Sequence, residues 1–198
     1  MINRKSTFDN IRKSFGKLTV TQVEGFTAIF DEWEASEHDD LRWLAYMLAT
    51  AWHETAKTMQ PIEEYGKGRK RKYGQKVKMS GMGYTTPDKI YFGRGFVQLT
   101  WYENYQLMGR LLGIDLLNHP ELALVMRNAS KIMFEGMTKG ASSFGDFTGK
   151  CLEIYFNETT DNPIAARKII NGIDKAGTIA GYHNLFLTSI IKTTNELS

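Results

Sequence analysis

The sequence predicts a mainly α protein, and three observations carry that prediction. Apolar residues recur at helical spacing over most of the chain, most clearly at Leu41, Leu44, Ala45, Leu48, Ala51, Trp52 and Thr55. Glycine and proline gather in one middle stretch, at Gly66, Gly68, Gly74, Gly81, Gly83 and Pro87, which confines the irregular backbone to that region. The chain has 198 residues, of which 42% are hydrophobic and 24% charged, ordinary values for a folded domain with a sizeable core. Without an internal repeat or a low-complexity linker, a single domain over residues 1–198 is expected, with helical lobes around a cleft.

The elements follow in order. Phe8, Ile11, Arg12 and Phe15 mark a short amphipathic helix that Gly16 ends, and Val23, Phe26, Ile29, Phe30 and Trp33 mark a second from about residue 21 to 35. A third runs from about residue 39 to 58, where Asp39 or Asp40 can accept hydrogen bonds from the free amides of its first turn. Pro61 stops it, because proline lacks an amide hydrogen and forces the preceding residue out of helical geometry. Residues 65–95 read as an irregular or hairpin segment. Beyond Thr100 the helical period returns, with Leu107, Leu111 and Leu112 in a helix ending near Gly113 and Leu122 to Met137 in the next. A short helix holds Cys151, Ile154, Tyr155 and Phe156, another begins at Asn162-Pro163 and runs to Gly172, and a last one covers about residues 176–191.

Composition narrows the function. One cysteine excludes an internal disulfide, and the first residues contain no apolar stretch of the signal-peptide kind. No segment reaches the ~18 uninterrupted apolar residues of a membrane span, so a soluble product made in the cytoplasm, without stable membrane insertion, is expected. The net charge is only +3, but Lys67, Arg69, Lys70, Arg71, Lys72, Lys76 and Lys78 form a run with no acid among them. Such a run favours an anionic polymer or cell-envelope surface. Apart from Tyr65 and Tyr73 it lacks interleaved aromatic residues, which argues against a nucleic-acid partner.

The chemistry concentrates in two segments. Glu54, near the end of the third helix, and Glu63-Glu64, just past Pro61, supply separately mounted carboxylates. Glycosidic hydrolysis needs such a pair: one acid protonates the departing oxygen and a second carboxylate attacks the sugar or activates water. On a continuous helix Glu63 would lie half a turn out of phase with Glu54 and ~13.5 Å along the axis, too far to share a substrate. Pro61 removes that obstacle by letting the chain turn back. Only one of Glu63 and Glu64 need face the cleft. The second segment, from Tyr91 to Thr100, opens on a tight Gly93-Arg94-Gly95 turn whose arginine can fix a buried carboxylate. Gln98, Thr100 and Asn104 then offer polar groups that could line one wall.

This combination resembles the family 19 glycoside hydrolases, the chitinases and their phage endolysin relatives. The resemblance rests on His53-Glu54-Thr55, on Tyr91 through Thr100 with Asn104-Tyr105, and on Ala166 through Gly172. It implies a lysozyme-like helical fold with a small β-hairpin beside the cleft and no cofactor or metal. It also implies an inverting mechanism with Glu54 as general acid, Glu63 as general base and Thr100 helping to hold the attacking water. His53, Glu64, Tyr91, Gln98, Asn104, Arg167 and Asn171 are the substrate-binding residues it suggests. Two features depart from the family pattern: Ile173 follows Asn171-Gly172 where many members have a second glycine, and the two acids are closer in sequence than in plant chitinases.

Chitin and peptidoglycan share a β-1,4-linked backbone of N-acetylated sugars. Absent disulfides, the basic run, and the likeness of residues 8–15 and 144–156 to phage lysis proteins lead us to expect a monomeric endolysin acting on peptidoglycan strands. Such a protein is made in the host bacterial cytoplasm and reaches the wall through a partner pore. A chitinase is the alternative. A zinc amidase or peptidase is a weaker one, since His53-Glu54 begins a zincin motif but Lys57 stands where its second histidine belongs.

Overall fold

The computed structural model of the protein describes residues 2–69, 71, 73, 90–138 and 147–194, the last three without their side chains. Lys70, Lys72, Lys76 and Lys78 of the basic run, and Phe144 of the 144–156 stretch, lie outside the described residues.

Helix α1 spans Arg4–Phe15, α2 Val20–Ala35 and α3 Leu41–Glu54. Each begins where a side chain can satisfy the free amides of a first turn. Asn3 accepts from the Ser6 amide, Thr19 and Gln22 form a reciprocal capping box, and Asp40 accepts from the Arg42 amide at 2.9 Å. Strands β1 (Ile62–Glu63) and β2 (Arg94–Gly95) follow, then α4 (Tyr102–Leu112), α5 (Met126–Met137), α6 (Leu152–Tyr155) and α7 (Ala176–Thr194). The prediction of a mainly helical, lysozyme-like fold holds.

The third helix is more deeply placed than its periodicity implied. Every residue from Leu44 to Trp52 is buried, so α3 is the central strut, with α7 packed along it and α1 against α7. One core cluster joins these helices to α2, α4 and α5 through Phe26, Phe30, Trp52, Met108, Met133 and Phe186. Burial of each large apolar side chain stabilises the fold by roughly 1.5–3 kcal/mol relative to exposure.

Four boundaries differ from the sequence reading. Helix α3 ends at Glu54, short of residue 58. There the Thr55 hydroxyl donates to the Ala51 carbonyl at 2.7 Å and accepts from the Met59 amide at 3.0 Å. Ala56, Lys57 and Met59 then turn the chain through positive φ, an uncommon conformation for residues with side chains. The element expected over 122–137 breaks at Val125, whose ψ of 124° separates a 3-10 turn (Pro120–Leu124) from α5. Asn162 does cap the next segment, accepting from the Ala165 amide at 2.9 Å, but what forms is a 3-10 turn over Ala165–Ile169 and not an α-helix. The hairpin is not local either. Strands β1 and β2 pair antiparallel, Ile62 with Gly95 and Glu63 with Arg94, although about thirty residues separate them in sequence.

Candidate active site

Glu54 is the last residue of α3, aimed out of the central strut. Behind it stands Arg167 of the Ala165–Ile169 turn, whose side chain is 3% exposed. Its Nε donates to the Asp174 carbonyl at 3.0 Å and its Nη1 to Glu54 Oε1 at 2.6 Å. A buried guanidinium requires such partners, and the planar fork in turn fixes the carboxyl group's orientation. Arg167, expected as a binding residue, backs Glu54 from inside the protein and is not among the residues that line the cleft.

The adjacent acids diverge because successive side chains of an extended segment point to opposite faces. Glu63 turns toward β2, where its Oε1 accepts from Arg94 Nε at 3.2 Å, while its Oε2 lies 3.1 Å from Lys67. Arg94, 6% exposed, is further held by the Ile90 carbonyl and the Tyr105 hydroxyl at 3.1 Å each, and stacks over the Phe92 ring. Glu63 thus belongs to a structural ion pair. Glu64 faces the other way. Its Oε1 accepts from the Tyr73 hydroxyl at 3.0 Å, its Oε2 from the Gly93 amide at 3.3 Å, and its own amide donates to the Gly93 carbonyl at 2.7 Å. Burial, aided by the bond to Glu64, pushes the Tyr73 phenol up to about 12, so it remains a donor. A Cβ at Gly93 would come within 2.7 Å of Gln98 Oε1, so a side chain there would displace the Gln98 amide from its place.

Glu54 and Glu64 line one cleft of about 390 Å³, together with Arg71, Tyr73, Thr100 and Asn171. Gln98 also borders it, with φ +54° and with its amide donating to the Ile62 carbonyl at 3.1 Å, so it braces β1 as well. A second compartment of about 110 Å³ shares Gln98, Thr100 and Trp101 with the first and adds Asn104, Phe147 and Thr148. Trp101 borders both, with the Tyr73 ring edge-on to it at 5.1 Å. The tip of the Phe147 ring meets α5 at Gly136, where the missing side chain leaves room for it.

Two other expected binding residues are not on these walls. Tyr91 is 3% exposed and its hydroxyl donates to the Leu117 carbonyl at 2.8 Å, so it belongs to the core beneath the cleft. His53 lies half-buried beside Glu54 and outside the cleft lining; burial lowers its pKa, so the ring is neutral at pH 7. Sequence reasoning missed Tyr73, Trp101 and Ile170 as wall residues, and treated Arg71 only as one charge in a run. Trp101 carried a usable signal, as a large aromatic next to Thr100. A roomier groove of about 470 Å³, beside α1 and α2 near Leu18, Val20 and Val23, contains none of the motif residues and is mostly apolar, so the chemistry points to the smaller cleft.

The class I chitinase family model, that of family 19, matches residues 21–138, more than half of the chain. An endochitinase of Theobroma cacao is 61% identical over 36 residues, covering 18% of this chain and 11% of that protein. An endochitinase of Arabidopsis thaliana is 45% identical over 82 residues, covering 41% of this chain and 29% of that protein. The matches thus span less than a third of these relatives' lengths. Among solved structures, chitinase C from Streptomyces griseus superposes with a TM-score of 0.60 at 22% identity, over 92% of this chain and 90% of that one, a likeness of fold. The family match, joined to the shared fold, makes this chain a member of glycoside hydrolase family 19.

Proposed function

We propose that the protein hydrolyses β-1,4 bonds in a polymer of N-acetylated amino sugars, with Glu54 as general acid and Glu64, rather than Glu63, as general base. The observation that carries this reading is the presence of Glu54 and Glu64 on one cleft while Glu63 is committed to Arg94. Arg167 engages Glu54 Oε1, which leaves Oε2 to carry the proton delivered to the departing glycosidic oxygen. Water attacks the anomeric carbon and gives up a proton to Glu64, whose two oxygens are aligned by the Tyr73 hydroxyl and the Gly93 amide. Thr100 lines the same space and is suited to hold that water. Proton exchange with solvent then restores both carboxyl groups.

Chitin is the polymer favoured by the names of the matched relatives, so the chitinase alternative leads. A second reading, peptidoglycan cleavage by an endolysin released to the wall through a partner pore, is supported by the cation Arg71 on the cleft wall and by Lys67 and Arg69 just before it in sequence. Proton NMR of chitin hexasaccharide hydrolysis tests the mechanism: the α-anomer should accumulate first, and early β-anomer would overturn inversion. Sugar release from chitin, run beside turbidity loss of outer-membrane-permeabilised cells, separates the two polymers. An enzyme inert in both assays would end the hydrolase reading.

A further inference from the structure

Among the described residues the cleft presents a charge pattern that hydrolysis of a neutral sugar chain does not require. Glu54 is compensated by Arg167, and Glu64 is held by two neutral donors, the Tyr73 hydroxyl and the Gly93 amide. Arg71 is left over. Its backbone amide donates to the Gly68 carbonyl at 2.8 Å, but its guanidinium has no ion pair or hydrogen bond among the described residues, although it lines the cleft and is exposed. The charge belongs to the reacting end of the site: Arg71, Tyr73 and Glu64 line the same cleft, and the Tyr73 hydroxyl donates to Glu64 at 3.0 Å. An ionised Glu64 repels an anionic substrate, and a cation on the same wall offsets that repulsion. A guanidinium also offers five donors in a fork that matches a carboxylate.

We infer that Arg71 is a specificity-determining residue, recognising a carboxylate carried by the sugar chain near the bond to be cut. The inference rests on the hydrolase reading above and deepens its second, peptidoglycan branch: the residue would recognise an N-acetylated glycan in which sugars carry an acidic ether substituent, beside uncharged chitin as the polymer that the matched relatives favour. The side chain does not react. It pairs with the substituent while Glu54 and Glu64 carry the chemistry, and its exposure makes the interaction sensitive to salt.

The test compares kcat/KM for two probes, chitin hexasaccharide and peptidoglycan strands stripped of their peptides but retaining the lactyl carboxylate. The expected result for Arg71→Ala is a loss roughly tenfold larger on the anionic strands than on the neutral oligosaccharide, the size of one charge-assisted hydrogen bond. Arg71→Lys should recover part of that difference, and raising the salt should shrink the wild-type preference but not that of Arg71→Ala. Equal losses on both probes, accompanied by a shift in the acidic limb of the pH profile, would mean that Arg71 acts on Glu64 and would overturn the inference. So would wild-type enzyme that cuts the neutral oligosaccharide and spares the anionic strands. Wild-type enzyme that cuts neither refutes the hydrolase reading itself, a distinguishable failure.

Discussion

The two carboxylates of the cleft are mounted in contrasting ways. Glu54 ends the most buried helix of the protein and is gripped by a guanidinium that is itself inaccessible to water. Glu64 follows a two-residue strand and is aligned by a phenol and a backbone amide, both neutral. The first wall is a rigid fixture in which charge meets charge. The second is assembled from distant pieces of chain, Glu64 at one end and Gly93 at the other. The contrast fits the division of labour proposed above, since a proton donor must be held against one oxygen of the substrate whereas a base must accommodate a mobile water.

The largest test of this contrast removes each carboxylate in turn. Glu54→Gln and Glu64→Gln should each fold and bind, yet lose about 10²-fold or more in kcat, the usual share of general acid–base catalysis; a Glu64 variant with normal turnover on chitin oligosaccharides would return the base role to Glu63. Next in size is Arg167→Ala, which strands the Glu54 carboxylate and the Asp174 carbonyl. Because Glu54 keeps some contact with solvent, a stability loss of about 2–3 kcal/mol is expected by chemical denaturation, with a fall in kcat at little change in KM. On the neutral wall, Tyr73→Phe deletes one hydrogen bond to Glu64 and should cost about 1 kcal/mol, read as a roughly fivefold lower kcat. Glu63→Gln should do the reverse, lowering stability by about 1 kcal/mol through Arg94 while sparing turnover.

That last pair also shows what could be read beforehand. The helices were legible because apolar period and capping residues agree along α1, α2 and α3, each level of the sequence favouring the same outcome. The cleft was half legible: Glu54, Thr100, Asn104 and Asn171 sit in segments whose local chemistry is distinctive. The choice between Glu63 and Glu64 was not, because alternation along a strand depends on register, and register here is set by Arg94, thirty-one residues away. The early end of α3 was equally hidden. It depends on the Thr55 hydroxyl and on three residues with positive φ, none of them glycine. Tyr73 escaped notice because its role arises only from the long-range approach of its hydroxyl to Glu64.

The smallest expected effect concerns pH. Burial lowers the pKa of His183, on α7, and of His53, beside Glu54. Both therefore bind a proton in the unfolded chain, near pH 6.5, before they do so in the folded one. Stability from the neutral rings is complete above about pH 6.5 and declines as pH falls from there toward the folded-state values. Thermal melts should show Tm decreasing between pH 7.5 and 5.5, and His183→Gln should flatten that decrease.

The seat of Phe147 on Gly136 has an evolutionary corollary. A Cβ at position 136 would stand 1.9 Å from the tip of that ring, and the ring end is the partner able to yield. Adding one methyl group on the face of α5 that meets the ring would act as a shim at its tip, shifting a residue that also borders the compartment of Asn104 and Thr148. The bore of this part of the groove can thus be set from a helix that lines neither compartment, by a change that leaves every lining residue as it is.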